Sequence, residues 1–241
     1  MKQRNPFKFK NFIIHQENVS LPVTTDSCLF GSFIEFKDST TILDLGTGTG
    51  LLMFILNEKY PVAEITGIEL QKDSCLCASS NIQINQKNDR LNVVEGDLFD
   101  FDFKRKFPAI ICNPPFFENS LVSKSKPEAI AKHFNQYTFK KLFNRIYSLL
   151  DDNGEVWLML PYMSVETIKD ELKPSELYII EHIIVKSKSN KTPHLCFVKL
   201  TNGLKHKREI KSEEIIVYNA DHSYTQQSKK FLSLIYLHLT S

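Results

Sequence analysis

A glycine cluster placed where a short apolar strand gives way to a helix narrows the possible folds more than any other part of this chain. Thr41 to Leu45 reads as a strand, Gly46-Thr47-Gly48-Thr49-Gly50 follows at once, and Leu51, Leu52, Ile55 and Leu56 continue at helical spacing. Glycine tolerates positive φ and carries no Cβ, so such a backbone turns sharply and lets a ligand approach closely. A strand–glycine turn–helix unit suits an open parallel sheet, whose ligands sit beyond the carboxyl ends of the strands. The bland alternative for an isolated Gly-x-Gly is a tight turn with no ligand.

The remainder of the chain repeats the alternation. Glu64 to Leu70 reads as a strand, Asp73 to Asn85 as a helix, and Leu91 to Glu95 and Phe107 to Cys112 as two more strands. Phe139, Leu142, Phe143, Ile146, Leu149 and Leu150 recur at helical spacing. Asp152-Asn153-Gly154 is then expected to turn the chain into a strand from Glu155 to Leu160. Leu177 to Val185 and Leu195 to Leu200 look like an antiparallel pair, followed by a strand near Ile215 to Tyr218 and a helix from Tyr224 to Leu239. The pattern is that of an α/β protein with crossover helices.

With 241 residues and no low-complexity linker, the chain is expected to form one domain over 1–241: an N-terminal extension (1–40), a sheet core (41–202), and a tail strand and helix (203–241). A formal net charge of +2 does not by itself require a polyanionic partner. Five cysteines without paired Cys-x-x-Cys spacing read as reduced thiols, and no metal is expected. The first ten residues lack the apolar stretch of a signal peptide, and no apolar run approaches the roughly 18 residues that span a bilayer. A cytoplasmic protein without a membrane partner is the expectation.

The ligand class follows from charge. The dinucleotide fingerprint asks for a third glycine where this chain has Leu51. Asp44, just before Gly46, would repel a pyrophosphate but suits a ligand bearing an ammonium group. S-adenosylmethionine has an ammonium, a sulfonium and no phosphate. Gly46, Gly48 and Gly50 are therefore expected to border that cofactor. Glu69, closing the next strand, is placed to accept the ribose hydroxyls, and Asp97, with Leu98 beside it, to meet the adenine. A strand-end acid or a loop-initiating aspartate is the plain alternative for each.

Asn113-Pro114-Pro115-Phe116, at the end of the Phe107 to Cys112 strand, is the most specific signal. The nitrogen of an adenine amine or an amide is a poor nucleophile because its lone pair is delocalised. The Asn113 side-chain oxygen and the Pro114 carbonyl can accept its two N–H groups and localise that pair. Two prolines fix φ and bring no competing N–H. Phe116 can stack on an extruded base. Asn113 also borders the cofactor site.

Taken together, these residues resemble the class I amino-methyltransferases, and more closely the bacterial tRNA1(Val) adenine-N6 methyltransferases. The likeness extends to Phe7-Lys8-Phe9-Lys10, Thr24-Thr25-Asp26, Asn81 to Asn85, Pro193-His194 and the tail containing Tyr224. Thr24 stands where that family usually has glycine, and Ser228 where an aromatic is common. The resemblance implies a Rossmann-like, seven-stranded, mostly parallel sheet with an antiparallel last strand and helices on both faces. It also implies Thr25 at the cofactor, an S-adenosylmethionine-dependent activity on the adenosine 3′ of the anticodon, and a tRNA anticodon stem-loop as partner. The alternatives are a glutamine-N5 methyltransferase acting on release factors, an adenine or guanine N-methyltransferase acting on rRNA, and a catalytically dead RNA-binding module. Release-factor enzymes carry a helical domain ahead of the sheet, for which the residues before Thr41 look too few. A dead module would be expected to have lost Asn113 or Glu69.

Basic residues gather in groups: Lys2, Arg4, Lys8 and Lys10, interleaved with Phe7 and Phe9; Lys186, Lys188 and Lys191; Lys205, Lys207, Arg208 and Lys211; Lys229 and Lys230. Such groups near aromatics suit phosphate contacts and base stacking. A solvated lysine-rich surface is the plain alternative for any one group.

Overall fold

Strands covered by helices on both faces carry apolar residues at nearly every position, and the central segments of this chain do. In the computed structural model, residues 4–17, 19, 22–114, 139–172, 175–203 and 209–239 are described. They form β1 (Phe7–Lys8), β2 (Ile13–Ile14), α1 (Thr25–Phe33), β3 (Thr41–Leu45), α2 (Leu51–Lys59), β4 (Glu64–Glu69), α3 (Lys72–Ile84), β5 (Leu91–Glu95) and β6 (Phe107–Cys112). After these come α4 (Phe139–Leu149), β7 (Leu150–Pro161), α5 (Val165–Leu172), β8 (Tyr178–Lys186), β9 (Leu195–Thr201), β10 (Lys211–Ile216) and α6 (Gln226–Leu232).

Eight strands make the main sheet, in the order β10-β8-β9-β7-β6-β3-β4-β5. All neighbours are parallel except where β9 runs against β7 and β8. This is the class I methyltransferase arrangement, with an eighth strand added by the tail to the seven expected. That edge strand starts at Lys211, earlier than the Ile215 the sequence suggests. Its first residues are polar and mostly exposed, so hydrophobicity does not mark them.

Alternation along the strands sends successive side chains to two apolar layers. Ile42, Ile65, Ile111, Trp157 and Phe197 pack with α1, α2, α6 and the β1–β2 hairpin. Leu43, Ile68, Ile110, Val156 and Leu158 pack with α4 and α5. Trp157 Nε1 donates to the Glu35 carbonyl at 3.0 Å, tying the centre of the sheet to the segment after α1.

Three local readings change. Asp152-Asn153-Gly154 does not separate helix from strand: β7 begins at Leu150, directly after α4. The turn-forming residues instead make an irregularity in the β6–β7 pairing, with Asn153 at φ +61°. The last helix starts at Gln226, because Thr225 caps it by accepting the Ser228 N–H, and it ends at Leu232, where sequence periodicity suggests Leu239. Tyr224 lies outside it, bridged to Tyr218. Phe9 and Phe12 are each 3% exposed, and Phe7 packs against Phe9 and Tyr236. Phe9 and Phe12 are core and Phe7 is partly buried against them, so the base stacking expected of Phe9 is lost.

The chain leaves β3 toward β4 and β5 on one side and returns to β6 on the other. The strand order therefore reverses between β3 and β6, the place where open α/β sheets bind ligands. Gly67 of β4, paired with Asp44 across the ladder, underlies that point. A Cβ there would lie 2.8–2.9 Å from the Thr47 side chain and 2.6 Å from Met53 Sδ. Gly67→Ala is expected to lower unfolding free energy by about 1–3 kcal/mol, read from the urea midpoint at unchanged slope.

Candidate active site

Asp44 is completely buried in the middle of the sheet. Its Oδ2 accepts the Thr47 hydroxyl at 2.6 Å, while Oδ1 has no hydrogen-bond partner among the described residues. Burial pushes its carboxyl up to about 7; the Thr47 bond opposes that shift and the charge of Glu69 adds to it. An orphaned carboxylate oxygen in this position favours a cationic neighbour.

Above it, Gly46 and Gly48 have φ of +72° and +59°, and a Cβ on either would meet no atom within 4 Å. The turn thus borders open space. Four of its five N–H groups are engaged inside the protein: Gly46 and Thr47 donate to the Ile68 carbonyl, Gly48 to Glu69 Oε2, and Gly50 to the Thr47 carbonyl. A phosphate cradle needs such donors pointing outward. A nucleoside carrying an ammonium needs acceptors, and Asp44 and Glu69 are acceptors.

Glu69 stands at the end of β4 as expected. Its oxygens accept Gly48 N–H at 2.9 Å and Gln71 N–H at 2.8 Å, which fix the carboxylate but leave lone pairs for ribose hydroxyls. Burial raises its pKa, and those backbone bonds act the other way. Asp97 follows β5, and its Oδ1 accepts Phe99 N–H at 2.9 Å, closing a short loop that holds Leu98 half-buried. Glu69 and Glu95 are register partners. Glu69 and the Asp97 loop therefore lie side by side along the carboxyl edge. Together these groups fit S-adenosylmethionine.

Asn113 directly follows β6, one strand from the glycine turn, since Cys112 pairs with Leu45. Pro114 is buried behind it; Pro115 and Phe116 lie outside the described residues. Sequence reasoning misses the partner of Asn113: its Nδ2 donates to Ser27 Oγ of α1 at 3.3 Å. Thr24 caps that helix by accepting Ser27 N–H at 3.1 Å. The hydroxyl three residues ahead of Ser27 is the sequence signal for such a cap. The next helical residue, Thr25, accepts from the Tyr218 hydroxyl at 3.4 Å, and Asp26 pairs with His194 Nε2 at 3.3 Å. Helix α1 therefore brings Thr25, Asp26 and Ser27 to the same edge as Asn113.

The basic groups do not share one face. Lys186 ends β8 at the carboxyl edge, and Lys188 and Lys191 follow it, with Lys186 paired to Glu214 at 2.7 Å and Lys188 donating to the Ala220 carbonyl at 2.9 Å. Lys8 and Lys10 come just before Asn11, which donates to Glu58. Glu58 is in the last turn of α2, at the other end of that helix from the glycine turn. Lys10 also donates to the Ser233 carbonyl just past α6, and the Lys230 ammonium lies over the Phe231 ring. Lys229 and Lys230 sit in the last turn of α6, at the end away from its Thr225 cap. Lys205, Lys207 and Arg208 lie outside the described residues. A cavity of about 270 Å3 near the amino edge contains Glu155, Glu181 and Lys199, but these charges pair with one another at 3.0 and 3.6 Å.

Comparison with known proteins agrees with this geometry. The profile of the methyltransferase small domain family matches residues 24–166. A tRNA1(Val) (adenine(37)-N6)-methyltransferase from Bacteroides thetaiotaomicron is 30% identical over 98% of this chain and 99% of its own length. One from Vibrio campbellii is 35% identical over 66% of each chain, and one from Actinobacillus pleuropneumoniae 28% identical over 99% of this chain and 100% of its own. Among solved structures, a predicted O-methyltransferase from Agrobacterium tumefaciens superposes with TM-score 0.67 at 16% identity, covering 87% of this chain and 96% of that one. A methyltransferase from Pyrococcus furiosus does so with TM-score 0.60 at 19% identity, covering 81% and 91%. At these identities the solved structures speak for the fold alone.

The environment of Asp44 has a consequence in pH. With a carboxyl at about 7, the ligand-free protein holds a proton there at pH 6, whereas a bound ammonium favours the ionised form. Binding of S-adenosylmethionine is expected to release a proton below about pH 7 and to tighten as pH rises toward it. The same elevation means that ligand-free stability falls as pH rises between the ordinary carboxylate range and about 7, because the unfolded chain loses its proton first. Titration calorimetry at pH 6 in two buffers of different ionisation enthalpy reads the released proton; Asp44→Asn is expected to abolish it. Identical heats in both buffers for the wild type would contradict the assignment.

Proposed function

The chain belongs to the methyltransferase small domain family and to that of the bacterial tRNA1(Val) adenine-N6 methyltransferases, and from that premise we propose the following function and residue roles. The enzyme transfers a methyl group from S-adenosylmethionine to N6 of the adenosine at position 37 of tRNA1(Val), the position named for its relatives. The observation that carries this reading is the placement of Asn113-Pro114 beside the Asp44 glycine turn, across the point where strand order reverses.

S-adenosylmethionine, when bound, supplies an activated methyl on a positively charged sulfur. Asp44 faces its ammonium, Glu69 its ribose and Asp97 with Leu98 its adenine, while Thr25, Gly46, Gly48 and Gly50 border it. Asn113 Oδ1 and the Pro114 carbonyl accept the two N–H groups of the target amine and turn its lone pair out of conjugation. The nitrogen becomes acidic as it gains carbon, so a proton leaves through these neutral acceptors without a strong base. Pro115 and Phe116 complete the tetrapeptide: Pro115 rigidifies it and Phe116 stacks on the base. A base in a single-stranded loop leaves its stack at least cost, as a base beside the anticodon can.

Lys188 and Lys191, on the loop that leads from β8 to His194, are the phosphate contacts on the carboxyl edge that carries Asn113, with Lys186 at the end of β8. Lys8, Lys10, Lys229 and Lys230 lie toward the far end of the α2–α6 layer and serve only RNA that wraps around the molecule.

Labelled S-adenosylmethionine and total tRNA from a strain lacking the enzyme are expected to yield N6-methyladenosine after digestion to nucleosides. Asn113→Ala is expected to slow single-turnover transfer about 10²–10³-fold with cofactor affinity nearly unchanged. Transfer to a release-factor glutamine with inert tRNA would leave the chemistry of Asn113 standing and overturn the substrate.

Replacing Lys188 and Lys191 together by glutamine is expected to weaken tRNA binding and flatten its salt dependence. Each lost phosphate contact removes about 0.7–0.9 from the slope of log K against log salt. Filter binding between low and physiological salt measures this, and an unchanged slope would place the RNA elsewhere.

A further inference from the structure

Asn113 has a side chain that works in one orientation only. Its oxygen and its NH2 group are nearly the same size, and a turn of the terminal amide exchanges them. With the oxygen toward the target amine it accepts an N–H; with the nitrogen there, two donors face each other and no lone pair is freed. Pro114 restricts the backbone of the residue before it but leaves that terminal torsion free.

The contact that acts on the torsion comes from α1. Asn113 Nδ2 lies 3.3 Å from Ser27 Oγ, a side chain buried at the start of α1. Ser27 Oγ lies 2.9 Å from Thr24 Oγ1, and Thr24 Oγ1 is the helix cap that accepts the Ser27 backbone N–H at 3.1 Å. A serine hydroxyl has a single proton. When that proton goes to Thr24, Ser27 offers Asn113 only lone pairs, and an Asn113 turned the other way would set oxygen against oxygen. We infer that Ser27, polarised by the Thr24 cap, is the positioning residue that fixes the Asn113 amide with its oxygen toward the substrate. The inference rests on the reading of Asn113 as the acceptor for the target amine. Direction passes from the helix cap through one hydroxyl to the amide, and Ser27 itself touches neither substrate nor cofactor.

Three variants test this. Ser27→Ala removes the acceptor and is expected to lower kcat about five- to tenfold, the worth of one ordinary hydrogen bond, with KM for tRNA and affinity for S-adenosylmethionine within twofold of wild type. Thr24→Val removes the destination of the Ser27 proton and is expected to lower kcat similarly, while Thr24→Ser keeps the hydroxyl and the rate. In an Asn113→Ala background, Ser27→Ala is expected to cost nothing further, because there is no amide left to orient. An unchanged kcat in Ser27→Ala, an equal loss in the Asn113→Ala background, or a change confined to KM would each overturn the inference. A readout without tRNA separates it from the substrate assignment. The side-chain NH2 resonances of Asn113, identified by their loss in Asn113→Ala, are expected to shift and to exchange faster with solvent in Ser27→Ala and Thr24→Val. Resonances that stay unmoved in both variants would overturn it even if tRNA is methylated as expected.

Discussion

Asp44 sits at 0% exposure with one oxygen held by Thr47 and the other without a partner among the described residues, and the candidate ligand-binding half of the molecule is arranged around that charge. A carboxylate removed from water destabilises the ionised form unless a cation or several donors face it. Here the single internal donor is the hydroxyl of the residue that begins the bend of the glycine turn. The turn is in turn pinned to β4 through the Ile68 carbonyl and through Glu69. The acid, the turn and the second acid thus form one rigid unit whose unmet need is positive charge. That combination favours a cationic ligand at this turn over a phosphate.

The sheet divides the work on either side of this unit. Strands β3, β4 and β5 present the acidic groups that fit a nucleoside with an ammonium. Strands β6 to β10 present Asn113, the Pro161–Leu195 strand ends and the loops that carry lysine. Helix α1 crosses between the halves, reaching Asn113 through Ser27, His194 through Asp26 and Tyr218 through Thr25. Helix α6 packs on α1 through Phe231 and Phe33, and Tyr218, after β10, donates to Thr25, so the tail supports the edge that carries Asn113. Ser228, small and fully buried, lets α6 come close: its hydroxyl donates to the Ile216 carbonyl at 3.2 Å.

Much of this is legible in the residues. The glycine turn, the acids at strand ends and Asn113-Pro114 are local patterns whose chemistry does not depend on distant parts of the chain, and each lies at the carboxyl edge. What escapes depends on partners far along the sequence. The edge strand from Lys211 is polar because one side faces water, so it carries no apolar signature. Asp152-Asn153-Gly154 has turn composition but meets β6 as an irregularity. The lysines announce positive charge without a direction, and tertiary packing sends Lys8 and Lys10 to the opposite end of α2 from Lys188. Phe7 and Phe9, which beside lysines suggest stacking on bases, pack instead against Tyr236 of the tail, and Phe9 also against Phe12. Ser27 and Asn113 are far apart in the chain, and nothing in either neighbourhood reveals that they touch.

All of these features converge on one base at one position. Two tRNA1(Val) transcripts that differ only in carrying adenosine or guanosine at position 37, the site named for the relatives, give the most direct measure of the account. With labelled S-adenosylmethionine, the adenosine transcript is expected to gain one methyl group, recovered as N6-methyladenosine, and the guanosine transcript none. Equal labelling of both transcripts, or of neither while another acceptor is methylated, would contradict it.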